Sequence, residues 1–357
     1  MNLRLITPSS RRSKGYLFAL LCAAAVMLSA CANPAASPAP TASPIPTASP
    51  VPSPTASPVP TATASPAADF PRTLTDDEGT VVELATKPQG VVSLSPAFTE
   101  IVFALGAGDR LLGGTDYDDF PPEAIELPDV ATFNGVVIER VVELDPDLVL
   151  AGGNNLTSDA DVSRLRELGF AVLVTYPPTV ADVLGDITLI GTALGEEEAA
   201  ASLTAAMQQR IDEVTAAVAG LDRPRVFYEI GYQPEIYGPA ADSFVADMVN
   251  LAGGDAITTS DPAVFSIALE QLVSADPEVI ILGDAAYGIC PASISDRAGW
   301  DVMTAVQNDA IRPVNDLVVT RPGPRLADGL ALLALAIHPE AAITPPAENP
   351  PLCVAGP

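Results

Sequence analysis

Two glutamates stand at the head of one short sequence that is written twice. Glu139-Arg-Val-Val-Glu-Leu-Asp-Pro-Asp-Leu-Val-Leu-Ala-Gly ends at Gly152, and Glu270-Gln-Leu-Val-Ser-Ala-Asp-Pro-Glu-Val-Ile-Ile-Leu-Gly ends at Gly283. A carboxylate at such a place suits the positive end of a helix dipole. Arg321 sits in the loop Arg321-Pro-Gly-Pro-Arg325, where a fixed guanidinium suits carboxylates and amides. A salt bridge inside its own lobe is the competing use. Tyr232 follows Gly231 at the end of an apolar run, so it either faces a cleft or caps a surface turn. The arrangements that break bonds are missing. There is no Gly-x-Ser-x-Gly elbow and no phosphate loop. The single histidine, His338, has no second imidazole with which to hold a metal, and it falls in the last turn of a final helix, where it suits the dipole. We therefore expect no enzyme, no resident metal and no cofactor.

These residues need elements to position them. Each copy of the repeat reads as a short helix that starts at its glutamate, breaks at Asp-Pro and feeds a fully apolar strand. Two copies imply two equivalent lobes, and two lobes make a cleft, where ligands bind. Strand and helix signals alternate along the chain: 91–94, a helix opened by Ser95-Pro96, 148–150, 158–168, 171–174 and 180–194. Short apolar strands separated by helices predict a parallel α/β sheet covered on both faces. A long uninterrupted helix pattern over 196–219 opens on three glutamates and closes at Gly220. The strand–helix rhythm then restarts at 225–230 and ends in a helix over 326–337. Leu251-Ala-Gly-Gly-Asp255 echoes Leu105-Gly-Ala-Gly-Asp109, which widens the repeat. Trp300 follows Gly299 and reads as a helix start and packing anchor.

The chain has 357 residues and a formal charge of −28. That acidity disfavours nucleic acid and anionic lipid, and it suits a basic protein surface. Arg4, Arg11, Arg12 and Lys14 precede an apolar run from Tyr16 to Leu28, which is too short to span a membrane. It ends in Leu28-Ser-Ala-Cys31, which resembles the bacterial lipobox, so residues 1–30 are expected to be a lipoprotein signal peptide and Cys31 the lipidated first residue. Cleavage removes four basic residues and takes the charge to −32. Cys22 leaves with the signal. Cys290 and Cys353 remain in an oxidising setting and are expected to pair. Residues 32–68 carry no charged side chain and repeat Thr-Ala-Ser-Pro at 41, 47 and 55. Such a composition cannot bury enough apolar surface to fold. Residues 31–69 are thus expected to be a semi-rigid tether, open to glycosylation, with a reach on the order of 100 Å at most.

With these elements in place, the stretch Val91-Val-Ser-Leu-Ser-Pro-Ala-Phe-Thr-Glu-Ile-Val-Phe-Ala-Leu-Gly-Ala-Gly-Asp109 resembles the substrate-binding proteins of ABC importers for cobalamin, ferric siderophores or haem. Asp116-Tyr-Asp-Asp-Phe-Pro-Pro-Glu-Ala124, both repeat copies and Arg321–Arg325 resemble further blocks, so the resemblance covers about residues 84 to 340. It implies two Rossmann-like α/β lobes with parallel sheets (70–195 and 221–357), joined by one connecting helix (196–220), with the ligand between them. It implies partners: an ABC permease with its ATPase, which Glu139 and Glu270 would dock by one carboxylate per lobe, and a small-molecule metal chelate. The protein is expected to be a monomer that meets the membrane through its lipid alone, on the outer face of the cytoplasmic membrane. Tyr117, Phe133, Asp316 and Arg321 match or lie near ligand-contacting positions. Tyr117 packing beside Pro121-Pro122 and Phe133 in a core are the alternatives. Two tryptophans of the pattern are replaced here, around Gly152-Gly-Asn154 and Val264-Phe265. Cobalamin or a related corrinoid is the first ligand reading and a ferric siderophore, met by Arg297, Arg321 and Arg325, is the second. A surface glycoside hydrolase or an adhesive lipoprotein are the readings from other classes.

Overall fold

The structure, a computed structural model, describes residues 70–154, 156–262, 264–347 and 352–353. The expected signal peptide, Cys31 and the tether lie outside the described residues. The first half opens with an antiparallel pair, β1 (Arg72–Thr75) and β2 (Val81–Leu84). There follow β3 (Val91–Ser93), α1 (Pro96–Ala104), β4 (Leu111–Thr115), β5 (Asp129–Thr132), β6 (Gly135–Val136), α2 (Ile138–Leu144), β7 (Leu148–Gly152), α3 (Asp159–Glu167), β8 (Val172–Thr175) and α4 (Val180–Leu194). Strands β3 to β8 form one sheet in the order β6-β5-β4-β3-β7-β8. All its neighbours run parallel except the β5–β6 edge hairpin. Every residue of β3, β7 and β8 is buried, as the unbroken apolar runs require of strands covered on both faces.

Helix α5 (Glu197–Val218) follows, and buries Ala200, Met207, Ile211, Val214 and Val218 along one stripe. The second half contains β9 (Arg225–Glu229), β10 (Ile236–Tyr237), α6 (Phe244–Leu251), β11 (Asp255–Ala256), β12 (Ser266–Ile267), α7 (Leu269–Ala275), β13 (Val279–Leu282), α8 (Pro291–Ser295), α9 (Thr304–Gln307), β14 (Ile311–Pro313), α10 (Asp316–Val319) and α11 (Leu326–Ile337). Its sheet has the order β11-β9-β13-β14 and is wholly parallel.

The repeated sequence gives the same structure twice. Helices α2 and α7 both end on an aspartate in the left-handed region, Asp145 at φ 46° and Asp276 at φ 45°. The next acidic residue then clamps the neighbouring strand. Asp147 N donates to Gly90 O and Glu278 N to Arg225 O, both at 2.8 Å. The Asp147 carboxylate accepts from Gly90 N at 2.9 Å, and that of Glu278 from Arg225 N at 3.0 Å. The helices begin one residue earlier than the sequence suggests. Ile138 and Leu269 are the first helical residues, so each glutamate stands second. Val137 and Ala268 supply no side-chain cap to announce the start. The wider echo is also in a different register. Gly106 (φ 76°) matches Gly253 (φ 88°), each ending its helix in a left-handed turn that any side chain would strain.

The two halves are not separate bodies on a stalk. A single apolar core includes Phe98, Ile101, Val183 and Ile187 from the first and Val245, Met248, Leu330 and Ala331 from the second, with α5 packed alongside. Trp300 is fully buried but lies in a turn, because the helix that follows starts only at Thr304. His338 caps α11, buried, with Nε2 3.2 Å from Gly253 O.

Cys290 and Cys353 are joined by a disulfide that closes 63 residues. In the chain-entropy account a closure of that length is worth about 4 kcal/mol. Thiol labelling of the denatured, unreduced protein, read by peptide mapping, should leave both cysteines unlabelled. Labelling at both would show that the bond does not form.

Candidate ligand-binding site between the halves

The end of β3 and α1 carry a buried polar network. The Thr99 hydroxyl lies 2.8 Å from both Ser93 Oγ and Asp118 Oδ2. Thr115 donates its backbone N–H to Asp118 Oδ2 and its hydroxyl to Oδ1, each at 2.9 Å. Asp118 reaches in because Gly114 has no side chain; a Cβ there would stand 2.1 Å from its Oδ2. Burial raises the Asp118 carboxyl above its usual range, against these hydrogen bonds. The network pins the loop that presents Tyr117, which is 49 % exposed.

Glu100, also on α1 and only 2 % exposed, is gripped from the second half. Arg325 donates from Nε at 2.9 Å and from Nη2 at 2.6 Å, and Arg321 Nη1 at 3.1 Å. Arg321 also pairs with Asp119 and reaches Tyr117 O at 3.4 Å. Arg325 stacks over Phe120, 4.1 Å from the ring centroid. The Arg321–Arg325 loop is therefore a clamp across the two halves, not within one.

Asp316 opens α10, with Oδ1 accepting from the Tyr228 hydroxyl at 2.8 Å. Burial raises its pKa, and Arg321 acts against the rise. Thus Tyr117, Asp316 and Arg321 come together at one inter-half edge. Tyr232 does not join them. Its ring is packed under the Arg297 guanidinium at 3.8 Å and edge-on to Trp300 at 5.8 Å, inside the second half. That packing covers one face of the ring, and Tyr232 as a whole is half-buried. Phe133 is 87 % exposed between β5 and β6, so it is not a core residue.

None of these five lines the apolar cavity bordered by Phe98 and Phe244 between the halves. That cavity has a volume of about 370 Å³. Its walls are Phe98, Leu156 and Tyr176 from the first half and Phe244 and Phe265 from the second, with Thr320 and Pro322 flanking Arg321. Two of the residues that line it, Thr175 and Asp186, keep Oγ1 and Oδ2 buried, with Thr175 and Asp77 next to the Asp186 carboxyl. Burial first, and the neighbouring Asp77 carboxylate next, push the Asp186 carboxyl up to about 8. Some of this was readable. Asn154 and Phe265 fall in the two segments where the sequence replaces expected tryptophans, and Tyr176 directly follows β8, at the strand ends that bind ligands in such sheets. An aspartate on the apolar face of α4 was the missed signal for Asp186.

A glutamate clamp across two Rossmann-like halves, with an apolar cavity between them, is an architecture for holding a molecule. The model for a periplasmic binding protein family matches residues 91–314. An uncharacterized ABC transporter substrate-binding lipoprotein of Bacillus subtilis is 30 % identical over 334 residues, 92 % of this chain and 98 % of that protein. A cobalamin-binding protein of Halobacterium salinarum is 31 % identical over 283 residues, 76 % of this chain and 75 % of the relative. The crystal structure of the periplasmic vitamin B12 binding protein of Vibrio cholerae superposes with a TM-score of 0.62 at 26 % identity, covering 70 % of this chain and 97 % of that one. The chain belongs to the periplasmic binding protein family, and is a binding protein of α/β fold rather than an enzyme.

Proposed function

We propose that this protein is the substrate-binding component of an ABC importer, and that its cargo is cobalamin or a related corrinoid. The observation that carries the ligand reading is the chemistry of the cavity walls. No basic residue is among those that line it, and six of them, Phe98, Ile101, Leu156, Tyr176, Phe244 and Phe265, are large apolar or aromatic side chains. The arginines that an anionic ferric chelate would need are engaged elsewhere. Arg297 is buried and donates to both oxygens of Glu229, from Nη1 to Oε2 at 2.5 Å and from Nη2 to Oε1 at 2.9 Å, while Arg321 and Arg325 hold Glu100. Anionic ligands are met by such guanidiniums; a neutral amphipathic macrocycle is met by flat apolar surface. Relatives named as cobalamin- and vitamin B12-binding proteins support the same choice. A cavity of this size grips part of a corrinoid, with the rest in the open cleft.

Export, lipidation at Cys31 and retention at the outer face of the cytoplasmic membrane complete the proposal, supported by the lipobox and by the lipoprotein of Bacillus subtilis. Glu139 and Glu270, both exposed at the second position of equivalent helices, are the proposed contacts with the permease. Calorimetric titration tests the cargo. Cyanocobalamin should bind with a Kd below about 1 μM, and an anionic ferric siderophore should not bind. The reverse order would overturn the corrinoid reading in favour of iron uptake.

A further inference from the structure

The two copies of the repeat part company just past their strands. By strand register and repeat, the places held by Leu94 and Gly153 in the first half are held by Glu229 and Asp284 in the second. The first half joins its strand ends there without charge. In the second, Glu229 is fully buried, and Asp284 is buried with its Oδ1 enclosed. Leu282 pairs with Glu229 across the sheet, so the turn that follows brings the Asp284 carboxyl within hydrogen-bonding reach of the Glu229 carboxyl. Arg297, itself buried, is the cation that faces both. It donates both Nη groups to Glu229 and stacks over the rings of Tyr232 and Trp300, 3.8 Å and 4.6 Å from their centroids. Two buried carboxylates over one guanidinium would leave one negative charge without a counter-charge, which a site of low dielectric disfavours. The pair therefore keeps one proton between its oxygens.

We propose that Glu229, Asp284 and Arg297 form a pH-sensitive latch on the segment from Gly283 to Cys290, shut while the two carboxyls share a proton and loosened when both are ionised. Gly283–Tyr287 form a 3-10 turn directly after β13, at the strand ends where open α/β sheets receive ligands. The segment is fixed at its start by Gly283, over which the Tyr228 ring lies so closely that a Cβ would stand 2.5 Å from it, and at its end by the disulfide of Cys290. Between those points Asp284 is the buried polar anchor. The elements packed on the turn bring further groups. Tyr228 on β9 donates to Asp316 on α10, and both carboxyls, Asp284 and Asp316, act on its hydroxyl. Arg321 is held by Glu100 and Asp119, and Arg312 on β14 is turned to the Asp309 and Ile311 carbonyls, so Arg297 is the counter-charge of the pair. Burial first, and the Glu229 carboxylate next, push the Asp284 carboxyl up to about 7, with Arg297 acting against them. The closed turn thus keeps a proton that the open chain gives up near pH 4. The contribution of the latch is complete below that pH, is lost as pH rises through about 7 and changes little above. The latch works whatever the cargo.

Hydrogen exchange of the full chain, followed by mass spectrometry between about pH 5 and pH 9 and corrected for the intrinsic rate, tests the latch. Protection of the amides from Asp284 to Cys290 should fall at least about tenfold between pH 5 and pH 8 and then level off. Asp284→Asn still donates to Glu229 and cannot ionise, so its corrected protection should not change with pH. Circular dichroism establishes that the variant is folded. Should it not fold, Asp284→Gly, which places the first half's own residue there, serves instead: its turn is looser at every pH but equally insensitive to it. Denaturant midpoints give a second readout, since the wild type should lose ground to the variant over the same pH range. A wild-type profile that is flat after correction overturns the latch. So does a fall of equal size in the variant, or a difference in midpoint that stays constant with pH.

Discussion

Cells whose protein carries Glu139→Arg together with Glu270→Arg are expected to lose cargo uptake to background, while the purified variant binds cargo as tightly as wild type. Both glutamates are exposed, and neither makes a side-chain hydrogen bond or ion pair among the described residues. Both stand second in seven-residue helices that end on a left-handed aspartate, so the two carboxylates hold the same place in the local structure of the two halves. That is the arrangement of a two-point contact with a basic partner. Close charge pairs across interfaces couple by about 1.5–7 kcal/mol, so reversing two of them turns attraction into repulsion. The cost to the fold is small, since a carboxylate near an exposed helix start contributes about 0.3–1 kcal/mol. Uptake assays and calorimetry on the same variant separate the two effects. Retained uptake, or lost affinity, would remove Glu139 and Glu270 from the docking face.

The second large effect is on stability. Glu100→Ala should lower it by about 3–5 kcal/mol, because it leaves two partly buried guanidiniums facing a void. At about 2–4 °C per kcal/mol the thermal midpoint should fall by roughly 10 °C. Arg321→Ala is the informative control. It removes one donor, yet Glu100 keeps both hydrogen bonds from Arg325, so the loss should be clearly smaller. Denaturant unfolding of both variants measures this. A Glu100→Ala loss under about 1 kcal/mol would mean that the clamp contributes little, as exposed ion pairs do.

Much of the architecture was legible because local signals agreed. Helix α4 runs from Val180 to Leu194 as read, with Thr179 and Asp182 forming a capping box and Gly195 closing it in the left-handed region. Helix α11 was read equally well, from Leu326 to Ile337, across a sequence that is apolar apart from Asp328. Helix α5 begins at Glu197, since Glu196 is drawn aside to Lys87 and Arg110. The site was less legible because its contacts span the chain. Glu100 and Arg325 are 225 residues apart, and no periodicity links them. Arg321 was correctly singled out as a fixed guanidinium, but its carboxylate partners belong to the other half. The cavity is assembled from several separate segments, of which the sequence pointed to those around Asn154 and Phe265. Asp186 was hidden by its helix, whose apolar rhythm is strong enough to mask one polar member.

The apolar core that runs through both halves has a consequence for traffic at the membrane. Because the halves share buried side chains and are clamped at Glu100, loading the cavity is expected to change the outline of the molecule little. An empty copy then offers the permease nearly the same face as a full one and occupies it as a competitor. On the proposed function, import is then expected to follow the ratio of loaded to empty protein, and producing more of the binding protein than there is cargo to fill it is expected to slow delivery.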